Sequence, residues 1–395
     1  MKILFLSFYF EPDLSAGSFR NKSLVSELQR ILPEGSHIDI MTTSPSRYSN
    51  YKLRAANIEI FDDLSIRRFK VLNLNNGLMS QSLAFLIYAF RVFVQSRYRN
   101  YDIVYASSSR LMTAALGAFI ARKKDLPLYL DIRDIFVDTL QDVFSKKFSW
   151  AFLPVFSKIE QYSINTAKNV NLVSPGFKNY FISRYSKANL TFFTNGIDVD
   201  FQSFSLNNKQ SKSALSKPKV VYTGNLGSGQ ALEIIIPKLA KKLSDRLDFV
   251  IIGDGIKKQE LERSLERENI KNVEILPPIS RSKIKEVFET ADILFLHLNK
   301  KEAFLKVLPS KVFEYAATGK PIWAGVGGFA AEFLNSNVTN TAVFDPCDEI
   351  DAIKVLNSLK MESVSRQSFV KKYSREKIMK EMACDILNCY REKLQ

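Results

Sequence analysis

Short apolar runs alternate with longer amphipathic stretches along almost the whole chain, and one segment interrupts this alternation. That segment, residues 202–217, is polar, rich in serine and lysine, and has no periodic apolar pattern. Strand–helix alternation builds βαβ units around a parallel sheet, and a polar aperiodic segment is typical of a linker. The sequence therefore predicts an α/β protein with two Rossmann-like, doubly wound domains, at 1–201 and 218–370. A closing helix is predicted at 371–395, and we expect it to pack back on the first domain.

The apolar periodicity also predicts the individual elements. In the first half the predicted strands are 2–8, 37–42, 66–70, 103–106, 128–131, 170–173 and 190–193, and the helices 18–31, 80–98, 110–123, 150–167 and 175–185. In the second half the strands are 220–223, 248–252, 273–276, 293–297, 321–324 and 341–344, and the helices 230–243, 257–268, 282–289, 311–318 and 328–335. Residues 363–395 are predicted to be helical.

Composition narrows the class of protein. The 395 residues are 46% hydrophobic and 25% charged, which is typical of a globular chain and excludes disordered and coiled-coil classes. The three cysteines form no CxxC pair, which disfavours a disulfide scaffold and a zinc ribbon. Two histidines leave little for a histidine-rich metal site. We expect a reducing, cytoplasmic compartment and no metal ion.

The positive charge is concentrated in the first half. Of the net +15, residues 1–217 carry +11. Such a field attracts nucleic acid, anionic lipid or a phosphorylated small molecule, or it serves solubility alone. Because no nucleic-acid-binding motif accompanies the charge, we expect no nucleic acid partner.

No apolar run reaches the roughly 20 residues that a membrane span needs. The nearest candidate, 83–94, is interrupted by Arg91. Residues 1–10 are apolar but run into Glu11-Pro12-Asp13 without a cleavage site, so we expect a buried strand rather than a secretory signal.

Ligands of doubly wound sheets bind where strands end and helices begin. Gly224-Asn225-Leu226-Gly227-Ser228-Gly229 follows the strand 220–223, and glycines let backbone N–H groups approach phosphate oxygens. The alternative is a tight strand–helix turn. Gly253-Asp254-Gly255, after the strand 248–252, fits either interpretation.

A second candidate lies at the start of helix 311–318. Ser310 stands at the expected N-cap, and Lys311 lies in the first turn, where the helix dipole disfavours a cation unless an anion binds there. Glu314 follows on the same face. A lysine for a diphosphate and a glutamate for a ribose diol form a coherent nucleotide pair; an exposed capping box is the alternative.

The second half resembles the family 4 retaining glycosyltransferases of GT-B architecture. The segments that carry the resemblance are 221–227, 251–255, 291–293 and 309–315, with looser matches at 2–8 with Gly17, 171–176 and 194–198. In order and spacing they cover most of the chain. The chain looks most like bacterial surface-polysaccharide transferases, including those that transfer N-acetyl amino sugars.

The resemblance implies a metal-independent enzyme with a nucleoside-diphosphate sugar, UDP-linked, as its donor and no further cofactor. The residues it assigns to the donor are Gly17, Gly224, Asn225, Gly227, Gly253, Asp254, Ile279, Lys306, Ser310, Lys311 and Glu314. Among these, Glu314 would hold the ribose, Ser310 and Lys311 the diphosphate, and the loop containing Ile279 the base. Lys311 would also act in catalysis, by stabilising the leaving diphosphate.

The chain departs from the family at three places. Lys306 stands where many relatives have a second glutamate, which Glu302 would replace only in part. Ser228, Gln230 and Ala231 stand where many have an arginine and a lysine. A frequent histidine of the first domain is missing. Asp198-Val199-Asp200 spells DxD, but it follows a family turn motif, so we interpret Asp198 as a helix cap.

The sequence indicates the acceptor-binding residues less specifically than the donor-binding residues. Asp131, Arg133 and Asp134 follow the strand 128–131 and are candidates for positioning the acceptor hydroxyl; a solvated loop with an internal ion pair is the alternative. Two segments, 78–98 and 144–158, mix cations with aromatic residues, as interfacial helices do, although core helices with exposed ends would look similar. Their candidate membrane and acceptor residues are Arg91, Lys146, Lys147, Phe148 and Trp150.

These observations favour a glycosyltransferase of surface-polysaccharide assembly such as O-antigen or capsule. It would act on a lipid-linked or glycan acceptor at the inner face of the plasma membrane and bind the anionic surface peripherally. A nucleotide-sugar 2-epimerase of similar architecture would need more histidines. A membrane-associated protein that binds a nucleotide sugar without turnover is the other alternative, suggested by Lys306.

Overall fold

The computed structural model describes residues 1–13, 15–45, 55–71, 78–108, 110–137, 146–204 and 217–394, with the side chains of 78–79, 146–151 and 393–394 left out. The chain divides into two compact units. Unit 1 comprises Met1–Asn195 and Arg375–Gln395, and unit 2 comprises Gly196–Ser374. The predicted boundary at 201 lies six residues beyond the observed one, and 205–216 of the predicted linker lie outside the described residues.

Unit 1 is built on an eight-stranded sheet. The strand order is β3-β4-β2-β1-β5-β6-β7-β8, and every neighbouring pair is parallel except β3 with β4. The strands are β1 (Lys2–Ser7), β2 (His37–Thr43), β3 (Ile58–Ile60), β4 (Leu64–Phe69), β5 (Ile103–Ser108), β6 (Leu128–Ile132), β7 (Asn169–Leu172) and β8 (Leu190–Thr191). The helices are α1 (Ala16–Ile31), α2 (Leu78–Ser96), α3 (Leu111–Lys124), α4 (Lys146–Thr166) and α5 (Lys178–Arg184), with a 3₁₀ turn at Pro175–Phe177.

The centre of this sheet is buried on both faces. All residues of β5 and β6 are buried, as are the last five of β1. Continuous apolar runs are what a parallel strand covered by helices on both faces requires. The short edge strand β3 is exposed instead, which is why its sequence carries too little apolar signal to predict it.

Unit 2 has a six-stranded parallel sheet in the order β11-β10-β9-β12-β13-β14. Its strands are β9 (Lys219–Asn225), β10 (Asp248–Asp254), β11 (Val273–Leu276), β12 (Ile293–His297), β13 (Ile322–Gly325) and β14 (Thr341–Phe344). Its helices are α6 (Val199–Gln202), α7 (Leu232–Lys242), α8 (Lys258–Arg267), α9 (Arg281–Thr290), α10 (Glu302–Leu305), α11 (Lys311–Ala317), α12 (Gly328–Asn337), α13 (Glu349–Leu356) and α14 (Gln367–Lys372). The fold class expected from the sequence, two Rossmann-like parallel-sheet domains, is confirmed.

The chain returns to unit 1 through α15 (Arg375–Leu394). The predicted single helical segment 363–395 is wrong in one respect, because α14 and α15 are separate. The break lies at Tyr373, whose carbonyl accepts a hydrogen bond from the Ile197 N–H at 2.7 Å. Arg375 begins α15 and donates from Nε to the Asn195 carbonyl at 2.8 Å, which fixes the start of the helix within unit 1.

Two other predicted elements differ from the structure. The strand predicted at 190–193 ends at Thr191, because the Phe193 N–H donates at 2.6 Å to the Asn171 side chain instead of to a strand. The helix predicted at 175–185 is a 3₁₀ turn followed by α5. The short helices α6, α10 and α13 have no counterpart among the predicted elements.

Candidate functional site

Lys311 is a half-buried lysine next to the end of β9. Its Nζ donates at 2.9 Å to Tyr222 Oη and lies 4.2 Å from the centre of that ring. Among the described residues, no carboxylate lies within ion-pair distance of this ammonium group. Burial lowers the pKa of Lys311 to about 8, and the nearby charge of Glu314 opposes this only in part. A cation held in this way is positioned for an anion that the protein itself does not supply.

Gly224 leaves the space that Lys311 occupies. A Cβ at this position would lie 2.5 Å from Lys311 Nζ, and the backbone has a φ of +137°, which favours glycine. Gly253 lies opposite on β10, where a Cβ would lie 1.8 Å from the Gly224 carbonyl oxygen. The two glycines thus let the ends of β9 and β10 approach each other closely, and they bring Lys311 against the backbone of the glycine loop.

The rest of the glycine loop, 224–229, is held by side-chain amides. Asn225 Nδ2 donates at 2.9 Å to Gln230 Oε1, which also accepts from the Gly227 N–H at 3.3 Å. A Cβ on Gly227 would lie 2.4 Å from Asn225 Nδ2, so a side chain there would displace the Asn225 amide. Asp254 Oδ1 accepts from the Gly255 N–H at 2.8 Å, which organises the neighbouring turn after β10.

His297, at the end of β12, contacts the backbone of Gln230. Its Nδ1 lies 2.7 Å from the Gln230 carbonyl oxygen, and its Nε2 accepts from the Cys347 N–H at 3.0 Å. These two contacts assign the neutral tautomer with the proton on Nδ1. Burial lowers the pKa of His297 to about 4, so the ring stays neutral at physiological pH. This role of His297 was not predicted from the sequence, although a histidine at the end of an otherwise apolar strand was a detectable signal.

Glu314 lies one turn along α11 from Lys311 and is part of a charge cluster. Arg281 Nη2, at the start of α9, donates to Glu314 Oε1 at 2.8 Å and also pairs with Asp198. All three side chains are largely buried, and the Arg281 guanidinium lies 5.2 Å from the Phe201 ring centre. Two carboxylates share one guanidinium, so the cluster is acidic overall. Arg281 was not among the predicted site residues.

The predicted capping roles are wrong at two positions. Asp198 and Ser310 both stand at N-cap positions, of α6 and α11, but neither side chain makes a capping hydrogen bond. Asp198 pairs with Arg281 instead, which accounts for the first carboxylate of the DxD sequence. Lys306 ends α10, and Ile279 lies half-buried in the loop between β11 and α9. The described part of the chain holds no group of three or more His, Cys, Asp or Glu arranged to bind a metal ion.

In unit 1, Gly17 and Arg133 lie against each other. A Cβ on Gly17, in the first turn of α1, would lie 1.9 Å from Arg133 Nη1. Arg133 is largely buried, and its Nε has no hydrogen-bond partner among the described residues. Burial is the main cause of its lowered pKa. The sequence assigned Gly17 to the donor and Arg133 to the acceptor, and the structure places the two residues in contact.

Asp131 belongs to a buried network. Both of its oxygens accept from Arg20, each at 2.9 Å, and Asn171 and Tyr105 donate to it at 2.6 and 3.2 Å. Although burial alone raises it, the Arg20 guanidinium holds the pKa of Asp131 below its usual value. This network ties α1 to β6 and β7. Asp134, by contrast, is exposed at the end of β6.

Four apolar side chains of α2 form an exposed stripe, which we call the α2 stripe: Leu83, Leu86, Phe90 and Val94. Their spacing of three or four residues places them on one helix face. Leu86 and Phe90 are 61% and 69% exposed. Arg91 is exposed on the same helix, whereas the side chains of Lys146, Lys147, Phe148 and Trp150 lie outside the described residues. No helix in the described ranges is long and apolar enough to cross a lipid bilayer.

One known protein family is similar to most of unit 2. Residues 204–377 match the family described as "Glycosyl transferases group 1". The chain is 27% identical over 168 residues to WcaI of Escherichia coli (strain K12), which is named for a glycosyl transferase of colanic acid biosynthesis. That alignment spans 40% of this chain and only 41% of the length of WcaI.

Solved structures match over the full length. Sucrose-phosphate synthase from Thermosynechococcus elongatus has a TM-score of 0.73 at 12% identity and covers 100% of this chain and 99% of its own. HepE of Anabaena, in complex with UDP-glucose, has a TM-score of 0.69 at 16% identity and covers 98% and 99%. At these identities the likeness concerns the fold alone. Residues 204–377 therefore match the glycosyl transferases group 1 family, and the chain as a whole has the GT-B fold of glycosyltransferase structures.

Proposed function

We propose that the protein transfers a sugar from a nucleoside-diphosphate donor, UDP-linked, to a lipid-linked or glycan acceptor in surface-polysaccharide assembly. The sugar would be a hexose or an N-acetylhexosamine. The family match over residues 204–377, the similarity to WcaI and the fold shared with a protein that binds UDP-glucose support the proposal.

The proposal rests mainly on the contacts of the Lys311 ammonium group. An ammonium group has three N–H donors, and among the described residues Lys311 Nζ uses one of them, toward Tyr222 Oη. It lies against Gly224, whose missing side chain leaves the space that the ammonium group occupies beside the glycine loop. A diphosphate is the anion that fits a half-buried cation beside a glycine loop.

Catalysis would follow from the same contact. Negative charge grows on the diphosphate as its bond to the sugar breaks, so a cation fixed in advance stabilises the transition state more than the ground state. Lys311 would supply that charge without a metal ion. Retention of the anomeric configuration is part of the proposal through the family resemblance.

Glu314 would hold the ribose of the donor. Arg281 occupies Oε1 of its carboxylate, and a carboxylate accepts several hydrogen bonds, so Glu314 can accept from a diol while it remains paired. Ile279 would contact the base, and Ser310 and Lys306 would extend the diphosphate site. In unit 1, Arg133 beside Gly17 would bind an anionic or hydroxyl group of a substrate, with Asp134 as the exposed carboxylate nearby in sequence.

The first half of the chain would bind the inner face of the plasma membrane peripherally. The α2 stripe supports this part, because its apolar side chains face solvent beside exposed cations. The sequence from 71 to 101 contains no acidic residue, so nothing in that stretch repels an anionic surface. Lys146, Lys147, Phe148 and Trp150 remain predicted contacts of the same kind.

Two alternatives predict different behaviour. A 2-epimerase would need acid–base histidines, and both nitrogens of His297 are engaged with the backbone while His37 contacts the Asp62 carbonyl and Ser65. A binding protein without turnover is suggested by Lys306, which replaces a carboxylate that many relatives carry.

A donor screen tests the proposal. Nucleotide sugars with different bases and sugars are added to the full chain, and thermal stabilisation is followed, since a bound ligand stabilises by RT ln(1 + [L]/Kd). Each stabilising donor is then assayed for transfer to a lipid-linked acceptor, for hydrolysis and for epimerisation. Stabilisation by UDP-sugars with transfer is the expected result. Epimerisation without acceptor, or binding without any turnover, would select one of the alternatives.

A further inference from the structure

A cavity of about 220 Å³ lies in unit 1 between β4 and α2. Its walls come from the antiparallel β3–β4 pair on one side and from Arg91 and Gln95 of α2 on the other. Phe69 and Tyr88, whose ring centres are 6.4 Å apart, hold α2 against β4. The residues that line it are Asn57, Ile58, Arg67, Arg68, Phe69, Lys70, Arg91 and Gln95.

Four of these lining residues are cationic, and two of the four have no carboxylate partner among the described residues. Lys70 and Arg91 are exposed and form no ion pair there. Arg67 pairs with Asp39 at 3.4 Å, but Asp39 also pairs with Arg99 at 2.9 Å, and Arg67 Nε has no hydrogen-bond partner in the described part of the chain. Arg68 pairs with Glu59 and donates to two backbone carbonyls, although its Nε has no hydrogen-bond partner within the described ranges. The cavity therefore has donors and positive charge to offer.

Phosphate is the anion that suits this set of donors. Arginine presents paired N–H groups to two oxygens of one phosphate, and lysine adds a point charge. Asn57 and Gln95 contribute amide N–H donors at the rim. The cavity is several times larger than the roughly 30 Å³ of a water molecule, so it admits a tetrahedral group.

The α2 stripe adjoins the cavity on the same helix. Phe90 and Val94 each directly precede a lining residue, Arg91 and Gln95. A ligand with a phosphate in the cavity would therefore have apolar surface beside it. An amphiphile, in which a phosphate carries hydrocarbon chains, meets both surfaces at once, whereas a soluble phosphate would leave the stripe uncovered.

We propose that Arg67, Lys70 and Arg91 form a binding pocket for the phosphate group of a membrane lipid, with the α2 stripe entering the bilayer beside it. This inference rests on the proposed membrane contact and adds a specific partner to it. Membrane binding would then be selective for lipids that carry a phosphate, because the pocket binds the phosphate group directly. Surface charge alone would not be sufficient.

Vesicle sedimentation tests this with the full chain. Phosphatidylcholine vesicles receive either phosphatidic acid or a fatty acid, matched for surface charge, so that the anionic group is a phosphate or a carboxylate. The pocket variant is Lys70→Gln with Arg91→Gln, both at exposed positions. The matched control is Arg97→Gln with Lys123→Gln, two exposed cations of the same region outside the cavity.

The wild-type chain should prefer phosphatidic acid vesicles to carboxylate vesicles by about tenfold, and the pocket variant should lose that preference while the control keeps it. Equal losses in the two variants, or no preference in the wild type, would overturn the pocket. Stabilisation of the wild type by inorganic phosphate without any vesicle preference would overturn the lipid as the ligand. The affinity for UDP in solution should be unchanged in both variants. This measurement distinguishes a failure of the lipid pocket from a failure of the proposed donor site.

Discussion

Arg281 donates from Nη2 to Glu314 Oε1 at 2.8 Å and pairs at the same time with Asp198. The pairing holds the Glu314 carboxylate in one orientation, because Arg281 is itself fixed by a second carboxylate and by the Phe201 ring. Arg281 is thus a positioning residue for the proposed ribose contact, although it would touch no reacting atom.

Replacing Arg281 with Gln should raise the donor KM by roughly 10- to 100-fold, the effect of losing one charged hydrogen bond of about 1.5–3 kcal/mol. The value of kcat should change less, since the ribose does not react. Steady-state kinetics check this, with Arg263→Gln, an exposed arginine of the same unit, as the control. A loss confined to kcat would show that Arg281 acts elsewhere.

Replacing Lys311 with Met should lower kcat about 10²–10³-fold and change the donor KM less, since its charge acts mainly on the departing diphosphate. The substitution keeps the apolar stem and removes a half-buried charge, so the variant should fold. Kinetics with saturating acceptor, beside the exposed control Lys283→Ala, measure the effect. A pure KM effect would assign Lys311 to ground-state binding.

Donor binding should weaken above pH 8. The pKa of Lys311 is about 8 in the free protein, and a bound diphosphate raises it, so binding takes up a proton once Lys311 has become neutral. The donor Kd should then rise by about tenfold per pH unit above that value. Calorimetric titration between neutral and alkaline pH measures it, and Lys311→Met should show no such slope. The same slope in the variant would remove Lys311 as its source.

Acid should destabilise the protein through His297. The pKa of this ring is about 4 in the folded protein, against an ordinary value of 6.5 for an exposed histidine, so the unfolded chain binds the extra proton first. Stability from the neutral ring is complete above pH 6.5 and is lost as the pH falls toward 4, by about 3 kcal/mol in total. Urea unfolding of wild type and His297→Gln across this range measures the loss. An equal pH slope in both proteins would contradict the assignment.

The sequence predicted most of the fold because buried parallel strands have continuous apolar runs, as in β5 and β12. It also singled out Lys311 and Glu314 as candidate donor-binding residues, since both stand in one turn with chemistry unusual for a helix start, and their roles stay a prediction. It did not predict Arg281 or His297, because their roles depend on strands and helices far apart in the chain. Phe193 is an example. The sequence around it favours a strand, but its backbone N–H donates to the Asn171 side chain instead of to a neighbouring strand.

The proposed function depends most on Lys311 binding a diphosphate and Glu314 binding a ribose within unit 2. Calorimetric titration of UDP and of uridine into wild type, Lys311→Met and Glu314→Ala tests it most directly. Lys311→Met should weaken the binding of UDP and leave the binding of uridine unchanged. Glu314→Ala should weaken the binding of both ligands by a similar factor, corresponding to about 1.5–3 kcal/mol. Equal UDP and uridine affinities in the wild type, or UDP affinity unchanged in both variants, would contradict the account.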